Sequence, residues 1–232
     1  MKRLSLTLLA LLVAFHAAAQ PLPSLLPSEE AREKKIQRLV QITRARPKDV
    51  GSWHDLAALY REAGRWDRAI EAETKAVAGH PKYAAAYHGR GKAYFAKRDF
   101  ARAREDFSRA IDLWQSRGGL EAFLTVEQAG AEHVDSYKSR GLAWAAEENH
   151  QEGIADLTTA IRLKKHDPEL HMTRAEMREK AGLMSDAVAD YRLAGLLYLD
   201  LGRELGARAA ILALKRLKAD PESEEIRRRI EK

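Results

Sequence analysis

The 232-residue chain carries a formal net charge of +6 and no cysteine. The missing cysteines exclude a disulfide framework, a lipoprotein anchor and a thiol nucleophile, and so small a charge excess is not the basic stripe of a nucleic-acid binder. A chain of this length, 45% hydrophobic, can bury enough surface to hold a fold without covalent staples.

Basic Lys2 and Arg3 precede an apolar run of 12 residues, Leu4 to Phe15, and then Ala17-Ala18-Ala19. That order predicts a secretory signal peptide over 1–19, cut before Gln20. The run is well short of the ~20 residues a spanning helix needs, so no stable membrane insertion is expected after cleavage. Cleavage removes two cations and no acid and leaves a net charge of +4. The mature product is expected to be soluble, periplasmic or secreted. Residues 20–27 read as a linker, and 28–46 as one helix with Leu39 and Ile42 on its apolar stripe.

From there the chain repeats itself. Trp53 and Tyr87 stand 34 residues apart, and Tyr137 follows 50 later, which is one more period plus a 16-residue insertion. After Trp53 come Leu56-Ala57, Tyr60, Ala69, Ala76 and Pro81; after Tyr87 come Arg90-Gly91, Tyr94, Ala103, Phe107 and Ala110. After Tyr137 come Arg140-Gly141, Trp144, Gly153, Leu157 and Ala160. His171, another 34 on, leads Arg174-Ala175, Ala187, Tyr191 and Ala194, and Leu205 leads Arg208-Ala209 and Leu212. Large residues at helical spacing mark one face of a first helix, and small residues mark where two helices meet closely.

This pattern resembles the tetratricopeptide repeat. The resemblance implies an all-α fold, a right-handed α-solenoid of antiparallel helix hairpins that bury their faces by stacking. Repeats 1 and 2 span 50–117, an insertion 118–133, and repeats 3 and 4 span 134–201. Residues 202–232 read as a degenerate repeat, a C-terminal cap. Glu73 departs from the pattern where an aromatic residue is expected, and Arg178 where a tyrosine is.

Arg90, Arg140 and Arg174 share one slot on the first helix, and Asp106, Asp156 and Asp190 share one on the second, each 16 residues later. An antiparallel hairpin brings such positions side by side, so intra-repeat ion pairs with a structural role are expected. Arg208 and Glu224 keep that spacing in the last repeat.

Arrays of this family hold partners in a concave groove lined by first helices. The resemblance places His54, Ala58 and Arg61, then His88, Lys92 and Phe95, then Lys138, Leu142 and Ala145, then Met172, Glu176 and Glu179 on that face. A basic-to-acidic run of this kind suits an extended peptide held in one direction. A solvated face with ordinary helix charges is the other reading. The best-known peptide-binding form of the family clamps a terminal carboxylate with Lys and Asn side chains. Ala58 stands where the first Asn of that set is expected, so that mode is not implied. Leu120, Phe123, Leu124 and Glu127 predict a short amphipathic helix in the insertion, either over the groove or patching an offset between repeats.

The sequence holds no Gly-x-Ser-x-Gly, no His-Glu-x-x-His and no phosphate-cradling glycine loop. No cofactor and no catalysis are expected. His166 and His171, around the helix start at Asp167-Pro168, form a remote metal candidate, and His54 with His88 another pair. From Arg203 onward, nine Lys/Arg stand against six Asp/Glu, a solvated cap or a dock for an acidic surface. The expected function is a non-catalytic scaffold or adaptor of the cell envelope that binds a peptide or partner domain. An accessory subunit of an envelope enzyme or secretion machine is the alternative.

Overall fold

The computed structural model describes residues 29–116 and 126–231, with only the backbone for 126–129. The expected signal peptide, the linker and the first half of the insertion lie outside them. Among the described residues, eleven helices and no strands form the chain. We number them α1 (Glu29–Ala45), α2 (Val50–Glu62), α3 (Trp66–Gly79), α4 (Ala84–Ala96), α5 (Phe100–Gln115), α6 (Val126–Ala145), α7 (His150–Leu163), α8 (Pro168–Lys180), α9 (Met184–Asp200), α10 (Glu204–Arg216) and α11 (Asp220–Ile230). Each packs on the next, so α1 leads five antiparallel hairpins.

Short polar residues start several helices. Asp49 and Asp99 accept hydrogen bonds of 3.2 Å from the backbone amides of Ser52 and Arg102. Asp167 caps α8 through Glu169 N at 3.0 Å, with Pro168 in the first turn. These side chains satisfy amides that the helix itself leaves unpaired. The hairpin turns are closed by a residue with left-handed backbone: Gly64, Arg98, Glu148, Gly182 and Lys218.

The core follows the repeat. Ala57, Ala69, Ala76, Ala103, Ala110, Ala160, Ala175, Ala187 and Ala194 are fully buried where helices touch. Phe107, Leu157 and Tyr191 fill one recurrent slot on the second helices, each without exposed surface. Burying a side chain of this size stabilises the fold by about 1.5–3 kcal/mol. Phe107 reaches its place because Gly91 has no side chain: a Cβ there would lie 2.8 Å from the ring. Ile36, with Leu39 and Val40 beside it, seats α1 on Leu56 and Tyr60.

One expectation is corrected. The final repeat is out of the 34-residue register. From α8 to α10 and from α9 to α11 the helix starts step by 36 residues. Leu205 and Leu212, expected on the packed stripe, are therefore 85% and 70% exposed, while Ala207 and Leu214, two residues on, are fully buried. The slip also removes the expected Arg208–Glu224 pair: Arg208 bonds Glu204 at 2.8 Å, and Glu224 bonds Arg227 at 3.1 Å. The short helix expected around Leu120, Phe123 and Leu124 lies outside the described residues; the second half of the insertion, residues 126–133, forms the first two turns of α6, continuous with the first helix of the third hairpin.

Candidate partner-binding face

Over the first three hairpins, successive first helices (α2 with α4, α4 with α6) approach each other more closely than successive second helices do. The first helices therefore line the inner side of the curve there. Between α6 and α8 the backbone contact is weaker, although Tyr137 and Leu170 share one apolar cluster there.

The shared arginines and aspartates are brought together at each hairpin. Arg90 donates to Asp106 through Nε and Nη2, both at 2.8 Å. Arg140 does so to Asp156 at 2.8 and 2.7 Å, and Arg174 to Asp190 at 2.8 Å twice. Two parallel bonds of this kind fix the guanidinium plane. The third nitrogen reaches back to the preceding second helix: Nη1 of Arg90, Arg140 and Arg174 donates to Thr74, Ser108 and Thr158 at 3.3, 3.0 and 3.0 Å. The arginine thus joins its own hairpin to the one before. Sequence reasoning missed this partner, although the three hydroxyl residues share one slot on the second helices, each directly after Glu73, Phe107 or Leu157.

The aspartates differ in how many cations they face. Asp106 has Arg90 alone, and burial pushes its pKa above the usual carboxylate value despite that bond. Asp190 is also penalised by burial, but Arg174, His171 and Arg178 hold its pKa down at about 2. Arg178, the departure from the expected tyrosine, donates to Asp190 at 2.7 Å.

Glu73 explains the other departure. It sits in the slot that holds Phe107 in the next hairpin and is wholly buried. A buried carboxylate needs partners, and two expected groove residues supply them. Arg61 Nη1 donates at 2.5 Å, and His54 Nδ1 lies 3.1 Å from both carboxylate oxygens. Burial lowers the pKa of His54, but the Glu73 carboxylate outweighs it and raises the net value. Gly89 makes room, since a Cβ there would fall 2.0 Å from Glu73 Oε1.

Lys92 and His88 are engaged too, by the extended α6. Asp135 lies 3.1 Å from both His88 Nε2 and Lys92 Nζ, and Ser136 Oγ lies 2.9 Å from His88 Nδ1. Asp135 is penalised by burial, yet its His88 and Lys92 contacts hold its pKa well below the carboxylate range. The Glu132 charge acts on His54. His54 and His88 consequently answer to different carboxylates and form no pair.

The remaining positions diverge. Phe95 meets Phe100 edge-on at 5.4 Å, at the hairpin turn. Lys138 has no hydrogen-bond or ion-pair partner among the described residues. Leu142 is half-buried and Glu176 exposed. Glu179 accepts from Tyr191 Oη at 2.9 Å and from Arg216 at 2.6 Å. His171 is buried with both ring nitrogens occupied, Nδ1 at 3.4 Å from Asp190 and Nε2 at 3.1 Å from the Lys165 carbonyl, which leaves none for a metal. Among the described residues no group of three or more His, Asp or Glu is placed to hold a metal ion. None of their helices is long and apolar enough to cross a membrane.

Residues 54–117 match the family model of the tetratricopeptide repeat. Solved structures extend the likeness. MamA superposes with a TM-score of 0.64 at 21% identity, over 76% of this chain and 94% of that one. The fold is a tetratricopeptide-repeat solenoid. YrrB, a TPR protein with an unusual peptide-binding site, gives a TM-score of 0.54 at 17% identity over 83% of this chain and 99% of its own. pilF of Pseudomonas aeruginosa gives 0.54 at 17% over 86% and 97%. No curated protein matches the sequence.

Proposed function

We propose that the protein is a non-catalytic adaptor of the cell envelope that holds an extended segment of a partner protein along the inner face of its third and fourth hairpins. The observation that carries this reading is the cavity between α6 and the α7–α8 junction, lined by Lys138, which has no partner among the described residues. The basic residues of the first two hairpins are taken up by Glu73, Asp135 and Ser136, so the free stretch begins at Lys138 and runs past Leu142 to Glu176. YrrB, a TPR protein with a peptide-binding site, lends support by analogy of fold. The envelope location rests on the leader pattern of residues 1–19.

Affinity capture from envelope extract tests the reading. Wild-type protein is expected to retain a partner that the Lys138→Glu, Glu176→Lys double variant loses while melting as wild type does. Equal retention by both, or retention of nothing, counts against it. Sequencing the N-terminus of the natural protein checks the location, with Gln20 as the expected first residue.

A further inference from the structure

A cavity of about 490 Å³ opens between the N-terminal half of α6 and the α7–α8 junction. We propose that this cavity anchors the partner segment and selects an extended peptide with an acidic side chain and a bulky apolar one spaced by one residue. The inference rests on the groove reading above and specifies the ligand chemistry of the site.

Charge decides the first half of the motif. Five charged or titratable side chains line the cavity: His133, Asp135, Lys138, Lys164 and Asp167. Asp135 already faces His88 and Lys92. Asp167 caps α8 and faces Lys164 at 2.8 Å. Neither carboxylate is left to draw a cation. Of the lysines and aspartates, only Lys138 has no counter-ion among the described residues, so the surplus charge at the wall is positive and asks for a carboxylate.

The apolar half follows from Leu163. This side chain, at the end of α7, is 50% exposed and lines the cavity beside half-buried Val134, with Leu170 fully buried below. An apolar ligand group placed there covers Leu163 and is itself removed from water.

Size and geometry set the backbone. A helix with its side chains is about 10–12 Å across, too thick for this volume, whereas an extended chain passes with single side chains dipping in. In an extended chain alternate residues point to the same side, which gives the one-residue spacing. His133, on the same wall, carries a buried ring Nε2 with no partner in the protein, a group that a peptide backbone can satisfy.

The test is selection of a random peptide display library on the full chain, followed by fluorescence anisotropy of the recovered peptides. Enrichment of acidic-x-apolar sequences is expected. Their affinity should fall about tenfold or more in Lys138→Gln and again in Leu163→Ser, at unchanged melting temperature. Recovered peptides that are basic, or that bind both variants as tightly as wild type, overturn the cavity assignment and leave the groove reading standing. Recovery of no peptide overturns both.

Discussion

The Asp190→Ala substitution probes the charge ties within a hairpin most severely. The carboxylate accepts from Arg174 twice, from Arg178 at 2.7 Å, and faces His171. Its loss strands side chains that are only 12%, 19% and 5% exposed. Breaking a fully buried pair costs roughly 3–5 kcal/mol; water regains part of that at the two guanidiniums, so about 3 kcal/mol is expected. For a chain of this size that lowers the melting temperature by about 6–12 °C. Asp156→Ala, which strands only Arg140 at 22% exposure, should cost less, about 2 kcal/mol. Thermal melts followed by circular dichroism, with exposed Glu71→Ala as reference, measure both. The sign of the pH dependence is fixed as well. A carboxylate whose pKa drops on folding from 3.8 to about 2 stabilises the fold above the higher value. The gap between wild type and Asp190→Ala should therefore be full near neutrality and close as pH falls toward 2. A variant that melts with Glu71→Ala, or ranks above Asp156→Ala, would refute the reasoning.

His54→Gln keeps a donor for Glu73 but no charge. Since the folded His54 pKa lies above its ordinary 6.5, its charge stabilises the fold fully below that value and stops doing so as pH rises through the raised one. Melts at about pH 6 and pH 9 should show the variant's deficit shrinking toward the higher pH; a constant deficit contradicts the pairing. Gly153→Ala sets a Cβ 2.4 Å from Met177 Sδ and 2.7 Å from the Gly141 carbonyl. It should lose about 1–3 kcal/mol, while Gly130→Ala, with nothing within 4 Å, should gain up to about 1 kcal/mol from helix propensity. Urea denaturation of the two separates them, and a stabilised Gly153→Ala disproves the close approach of α6 and α7. Asp135→Asn should speed amide exchange in residues 126–138 relative to wild type, because α6 then loses its charge tie to His88 and Lys92. Unchanged exchange would mean that those contacts do not hold the helix.

The period was legible because close helix contacts admit only small residues: Gly91, Ala103, Ala110, Ala175 and Ala187 mark them in the sequence. The arginine–aspartate spacing was legible for a similar reason, since an antiparallel hairpin brings residues equally far from its turn together. Register failed at the last repeat. Leu205 and Leu212 imitate the packed stripe at the 34-residue step, and nothing local shows that the step to α10 is two residues longer. The groove was harder, because a residue type does not say whether its charge is already answered. His54 and Arg61 look like ligand contacts until buried Glu73 is seen between them. His88 and Lys92 look free until the insertion, continued as α6, brings Asp135 and Ser136 to them. Lys138 has the same chemistry in the sequence, and only packing separates it from Lys92.

Site-specific photocrosslinking in living cells tests the central claim most directly. A photoreactive residue at Leu142 or Glu176, on the proposed inner face, should capture one and the same partner protein. The same residue at exposed Glu105 or Glu152, on second helices, should not. Capture from Glu105 and Glu152 with none from Leu142 or Glu176 would contradict the account and move the function to the outer surface.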